Sequence, residues 1–240
     1  MRRSKAPRRR RVAIDRRVAW VAVAFGAVGL ACTAGLTDAP AAAPVVSRPD
    51  PAAARELVAL MRAGEHTSWL ATYDFTRTLP GGSELRQVMR EGRTPSLHVL
   101  YSGTAMTVER GNRTYVCNLV ADRSSCDATP GGRALPASEV LRVAVSTGAY
   151  AVSRLPTWRI AGQPSRCFRV FAVGPATLPD LGTDTDTCLF TDGVPSSQRI
   201  VRTTGTIDER VARSVERGVS TAAVVVLERG FGRSASLKYP

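Results

Sequence analysis

The segment Ser68–Thr78 (SWLATYDFTRT) constrains the fold most. Trp69, Ala71, Tyr73 and Phe75 alternate with Leu70, Thr72, Asp74 and Thr76. A period of two puts alternate side chains on opposite sides of a strand, so this strand has one aromatic face. Pro80-Gly81-Gly82 ends it, and strand-like segments follow at Ser83–Arg90, Ser96–Ser102, Thr104–Arg110 and Arg113–Val120. Gly103 and Gly111-Asn112 separate these segments at hairpin spacing, which predicts an antiparallel meander.

Helices flank the meander. Asp50 is a natural N-cap for a helix over Asp50–Gly64, Pro51 fits its first turn, and Gly64 can close it in the left-handed conformation. Leu57, Val58 and Met61 form its apolar stripe. After Pro130-Gly131-Gly132, Ser138–Val152 places Val140, Val143, Thr147 and Tyr150 on one helical face, with Ser138 as N-cap. Strands are expected again at Trp158–Ile160, Arg166–Val173, Thr187–Thr191, Gln198–Thr204 and Thr221–Leu227. Ile207, Val211, Val215 and Val219 recur every four residues, which suits a helix and, being even, also a strand. The order helix, strands, helix, strands predicts one α+β domain over residues 52–240.

The first fifty residues read as an address. Residues 1–17 hold nine basic residues and one acid, a net +8 of the chain's total +13. That leaves too little charge elsewhere for a general nucleic-acid-binding surface, and no nucleic acid is expected as a partner. Residues 18–36 carry no charge; as a helix they would span about 28 Å, close to the hydrocarbon thickness of a bilayer. Basic flanks stay in the cytoplasm, so the cytoplasmic membrane is the expected partner and the body is expected outside it. The span fits a retained anchor, a lipoprotein signal with Cys32 acylated, or a cleaved signal peptide. Residues 37–51 (TDAPAAAPVVSRPDP) form an Ala/Pro-rich linker.

Cys117, Cys126, Cys167 and Cys188 make an even set in a domain expected outside the membrane, and read as two disulfides. Three pairings are possible. Cys117–Cys126 flanks the turn-like stretch Asp122–Ser125, which favours that pair together with Cys167–Cys188. There is no C-x-x-C, and the only histidines, His66 and His98, lie far away in sequence, so no metal is expected.

Catalytic motifs are missing from the sequence: G-x-S-x-G, the phosphate-binding G-x-x-x-x-G-K-[ST] loop and G-x-G-x-x-G are all absent. His66 and His98 read as ordinary surface or lining side chains. Asp180–Asp186 has a D-x-D spacing that could offer calcium oxygens, but without a closing Glu it reads as a solvated loop. No catalytic residue and no cofactor are expected, and the chain reads as a non-enzyme. The aromatic face of Trp69, Tyr73 and Phe75 then has two readings: a sheet packed on its helices, or the lining of a site for an apolar ligand.

The spacer, the capped helix, the phrase Tyr73-Asp74-Phe75-Thr76-Arg77, the meander, the second helix and the late strands Cys167–Val170 and Cys188–Phe190 occur in a suggestive order. From Asp50 to Val219 the chain resembles actinobacterial envelope proteins related to the LolA, LprG and RseB half-barrel superfamily. The resemblance implies a strongly curved antiparallel sheet, a half-barrel, with helices packed on its concave face, and no enzyme activity. It implies two function classes: a membrane-tethered binding protein for a lipid or other apolar ligand, or an interaction module for an envelope protein partner.

Overall fold

The computed structural model describes residues 48–111, 113–119, 125–129, 135–175, 178 and 180–229. The basic segment 1–17, the uncharged span with Cys32, the linker up to residue 47, and Asn112 lie outside the described residues. No described helix is long and apolar enough to cross a membrane.

Helix α1 (Pro51–His66) leads into strands β1 (Trp69–Thr78), β2 (Glu84–Thr94), β3 (Leu97–Ser102), β4 (Ala105–Arg110), β5 (Arg113–Asn118) and β6 (Ser125–Ala128). Helix α2 (Ala137–Ser146) follows, then β7 (Tyr150–Arg154), β8 (Trp158–Ile160), β9 (Gln163–Ala172), β10 (Asp184–Phe190), β11 (Pro195–Val201), β12 (Ile207–Arg217) and helix α3 (Thr221–Arg229). The strands form one open sheet in the order β6-β5-β4-β3-β2-β1-β12-β11-β10-β9-β7, with β8 on β9. The expected meander is the β1–β6 half. β1 pairs with β12, so the first and last strands meet at the centre of the sheet. Trp69 and Tyr73 of β1 share a core cluster with Cys167 of β9 and Phe190 of β10. At about 4.8 Å per strand a flat sheet would hold them well apart, so the sheet curves.

Register defines the faces. Gln87, Phe75, Arg210, Gln198, Thr187 and Phe168 are successive Cα partners, and so share one face, called inner here. Helices α1 and α2 cover its β7–β9–β10 end: Leu57 and Leu141 are buried against Tyr150, Val152, Phe168 and Val170. Burial of such side chains contributes about 1.5–3 kcal/mol each. Helix α3 covers the opposite face, where Val224 is buried among Leu97, Val99, Val108, Tyr115 and Cys117.

Local expectations held in part. Asp50 caps α1, its Oδ1 accepting from the Ala52 and Ala53 amides. Gly64 does not end the helix, which runs on to His66. Its smallness serves a close approach: a Cβ there would meet the Gly193 carbonyl oxygen at 2.1 Å. The helix expected to reach Val152 stops at Ser146, because Gly148 takes a positive φ of 73° and releases the chain into β7. Its N-cap is Pro136 rather than Ser138. The strand expected at Thr221–Leu227 is a helix. The open segment Ile207–Val219 is strand over Ile207–Arg217. A bulge at Arg213 lets Ala212 face Tyr73 and Val215 face Ala71. Asp184 and Asp186, read as loop, lie in β10 and pair with Arg169. No group of three or more metal-ligating side chains occurs among the described residues.

Both disulfides join directly opposed residues: Cys117 with Cys126 across β5–β6, and Cys167 with Cys188 across β9–β10.

Candidate functional site

The aromatic face comes first. Trp69 and Tyr73 are 1% and 0% exposed and sit in the central core cluster. The Trp69 indole N–H donates to the Gly64 carbonyl at 3.2 Å, and the Tyr73 hydroxyl to the Pro195 carbonyl at 3.0 Å. Phe75 is half-buried with the Arg77 guanidinium 5.7 Å from its ring centroid. None of the three lines either pocket described below.

Next to them the same face becomes charged. Arg93 of β2, His98 of β3 and Glu109 of β4 are successive Cα partners, and Glu91 lies two residues back along β2. All four therefore project from the inner face, with Arg210 arriving from β12. Glu91 is nearly buried. It accepts from Arg210 Nη1 at 2.7 Å and lies 2.9 Å from His98 Nε2. His98 Nδ1 lies 3.2 Å from Glu109 Oε2. The Arg210 guanidinium stacks 5.2 Å from the Tyr73 ring centroid. A charged strip thus rests directly on the aromatic core.

Its electrostatics are set by burial against partners. Burial pushes the Glu91 carboxyl up, but Arg210, the His98 contact and Arg93 outweigh it and hold the group at about 2. Burial pushes His98 down, but its contacts with Glu109 and Glu91 raise it above the ordinary value. Burial raises the Tyr73 phenol, which stays neutral. A neutral imidazole has one ring donor and one acceptor, whereas both His98 nitrogens face carboxylates, so the geometry favours imidazolium. A histidine held that way is not a general base for an incoming substrate.

Arg93 stands apart. Its side chain is only 15% exposed, yet its one ion contact among the described residues is 3.9 Å to Glu109 Oε2. Such a distance is no hydrogen bond. Arg93 and Pro95 line two adjoining spaces. One is a pocket of about 50 Å³ formed with Thr94, Ser96, Leu97, His98, Glu109 and Gly111. The other is a groove of about 350 Å³ between the end of α1 (Arg62, Glu65, His66) and the start of α2 (Pro136, Ser138, Glu139). The groove's carboxylates are committed. Glu65 accepts from the Ser138 amide at 2.9 Å and from its hydroxyl at 2.7 Å, capping α2 from another element. Glu139 accepts twice from Arg142.

Of the residues that form this region, the sequence singled out His66, His98 and Ser138. Glu91 and Arg93 escaped because the strand was expected to end at Arg90. Extended to Thr94, the period that places Met89 inside also places Glu91 and Arg93 inside. Arg210 lay in the segment whose period fitted both helix and strand.

No protein-family model matches the chain, and no curated protein matches it. Solved structures similar to it do exist. The MucA/MucB complex of Pseudomonas aeruginosa matches with 15% identity over 73% of this chain and 60% of that one, at a TM-score of 0.48. A MucB structure matches with 13% identity over 74% and 63%, at 0.43. The LolA superfamily protein NE2245 of Nitrosomonas europaea matches with 7% identity over 72% and 96%, at 0.33. The chain spans about 60% of the length of the MucB chains. Such similarity transfers no residue role to this chain.

Proposed function

We infer that the chain is a membrane-tethered, extracytoplasmic, non-enzymatic binding module that engages an envelope polypeptide along the groove beside its charged inner strip. One observation carries this reading. The aromatic face that could have lined a lipid cavity is packed solid, with Trp69 and Tyr73 at 1% and 0% exposure, while the groove beside the charged strip, rimmed by exposed Arg62 and His66, is open. A lipid site needs a mainly apolar cavity, whereas polypeptide interfaces tolerate a polar, wet surface. The disulfides suit an oxidising compartment, and the uncharged span 18–36 supplies the tether.

The test is site-specific photo-cross-linking in the cell envelope from position 62, at the groove mouth, with position 158 on the exposed strand β8 as control. A discrete protein adduct from position 62 alone is the expected outcome. Native mass spectrometry of the purified chain supplies the opposing arm. A stoichiometric lipid retained by the chain, lost on enlarging Ala71 or Ala212 in the core, would return the function to lipid binding around Trp69, Tyr73 and Phe75.

A further inference from the structure

Arg93 presents the unmet demand in this region. A guanidinium carries five N–H donors in a planar fork, and burying one without hydrogen bonds is unfavourable. Arg93, a group that wants an acceptor, thus lines the groove. The acceptors nearby are engaged: Glu65 with Ser138 and Glu139 with Arg142 in the groove, and Glu109 with His98 in the adjoining pocket. Arg62 and His66 are exposed on the groove's rim and add basic side chains.

Building on the polypeptide-binding reading, we propose that the groove recognises an acidic side chain of the partner, whose carboxylate seats on the Arg93 guanidinium. A carboxylate matches the guanidinium fork in a two-bond geometry. The groove walls favour this class over phosphate. Glu65 and Glu139 line the same space, and a dianion would meet two carboxylates there, whereas a single carboxylate within a polar peptide meets less repulsion. A peptide also supplies backbone N–H groups that those carboxylates can accept.

Fluorescence anisotropy on the full-length chain in non-ionic detergent tests the assignment. The probes are a labelled dodecapeptide of Ser and Ala with one central Glu and the same peptide with Gln for Glu. The Glu peptide is expected to bind saturably and at least tenfold more tightly than the Gln peptide. Arg93→Gln should erase that preference, and Arg93→Lys should keep part of it. Arg62→Glu, an exposed change with no fold risk, should weaken Glu-peptide binding about threefold. Unchanged melting temperatures in the Arg62 and Arg93 variants guard against unfolding as the cause. Equal binding of both peptides, or no binding of either, overturns the proposal. So does saturable displacement by inorganic phosphate or by monomeric dihexanoyl phosphatidylglycerol, lost in Arg93→Gln; that outcome makes the site one for phosphate or a lipid headgroup. An adduct from position 62 that persists in Arg93→Gln would leave the interaction module standing while the carboxylate anchor falls.

Discussion

The inner face is built in two ways. Under α1 and α2 it is apolar and sealed by close backbone contact. Beyond them, on β2–β4 and β12, it is a lattice of ion pairs. In the sealed half Leu57, Leu141, Phe168 and Val170 exclude water without needing partners. In the charged half each group is stable only while its neighbour is present, as with Glu91 between Arg210 and His98. Burial alone therefore holds the first half, and it tolerates no opening. The second half is held by its pairs, so removing one member leaves the charge of another buried and uncompensated.

The contrast is most easily broken at Gly193, in the β10–β11 turn. Its φ is +82°, and a Cβ there would meet the Leu60 carbonyl oxygen at 1.9 Å. Gly193→Ala forces α1 off the sheet and is expected to cost about 4 kcal/mol, near the top of the range for single substitutions. Thermal melting should show a fall of roughly 10 °C or more. A smaller shift than that of Glu91→Gln would mean the sealed half is not the stability anchor.

Glu91→Gln strikes the charged half. It leaves Arg210 buried without its counter-ion, with an expected cost of about 3 kcal/mol by denaturant unfolding. The reverse change, Arg210→Gln, should cost a similar amount, and the double variant less than the two together. Additive losses would show that the two groups are not coupled.

The charged half should also respond to pH in a defined window. Glu91 titrates at about 2 in the fold against 4.5 ordinarily, so its contribution is present above about 4.5 and is lost as pH falls toward 2. His98 titrates above its ordinary 6.5, so its contribution is full below about 6.5 and is lost as pH rises through the raised value. Melting temperature should therefore decline from pH 6 toward 8.5, and His98→Gln should flatten that decline. An identical slope in the variant would remove His98 from the account.

The smallest effect is expected from Arg86→Ala. Its pair with Glu84 is exposed on both sides, at 77% and 43%, and equilibrium unfolding should change by no more than about 0.5 kcal/mol. A loss comparable to that at Glu91 would erase the distinction between exposed and buried pairs.

The sequence by itself determined whatever depends on near neighbours. The alternation in β1 was enough for a strand with an aromatic side, because the period of two is a property of the backbone. Asp50 and Pro51 were enough for the start of α1, because a cap acts on amides two and three residues away. The turn-like stretch before Cys126 favoured the first disulfide, and the pairing of β5 with β6 decided it. Tertiary structure decided the rest. Thr221–Leu227 is rich in valine and suits a strand on propensity, yet it is part of a helix because Val224 is buried against Leu97, Val99 and Val108 on a face already formed. Tyr150 fitted a helical face and belongs to a strand because β9 offers it a ladder partner, Ala172. Glu91, Arg93, His98, Glu109 and Arg210 come from four strands separated by up to 119 residues. No local pattern relates them, since electrostatic partnership depends on distance in space, and only the pairing of β1 with β12 brings Arg210 to Glu91.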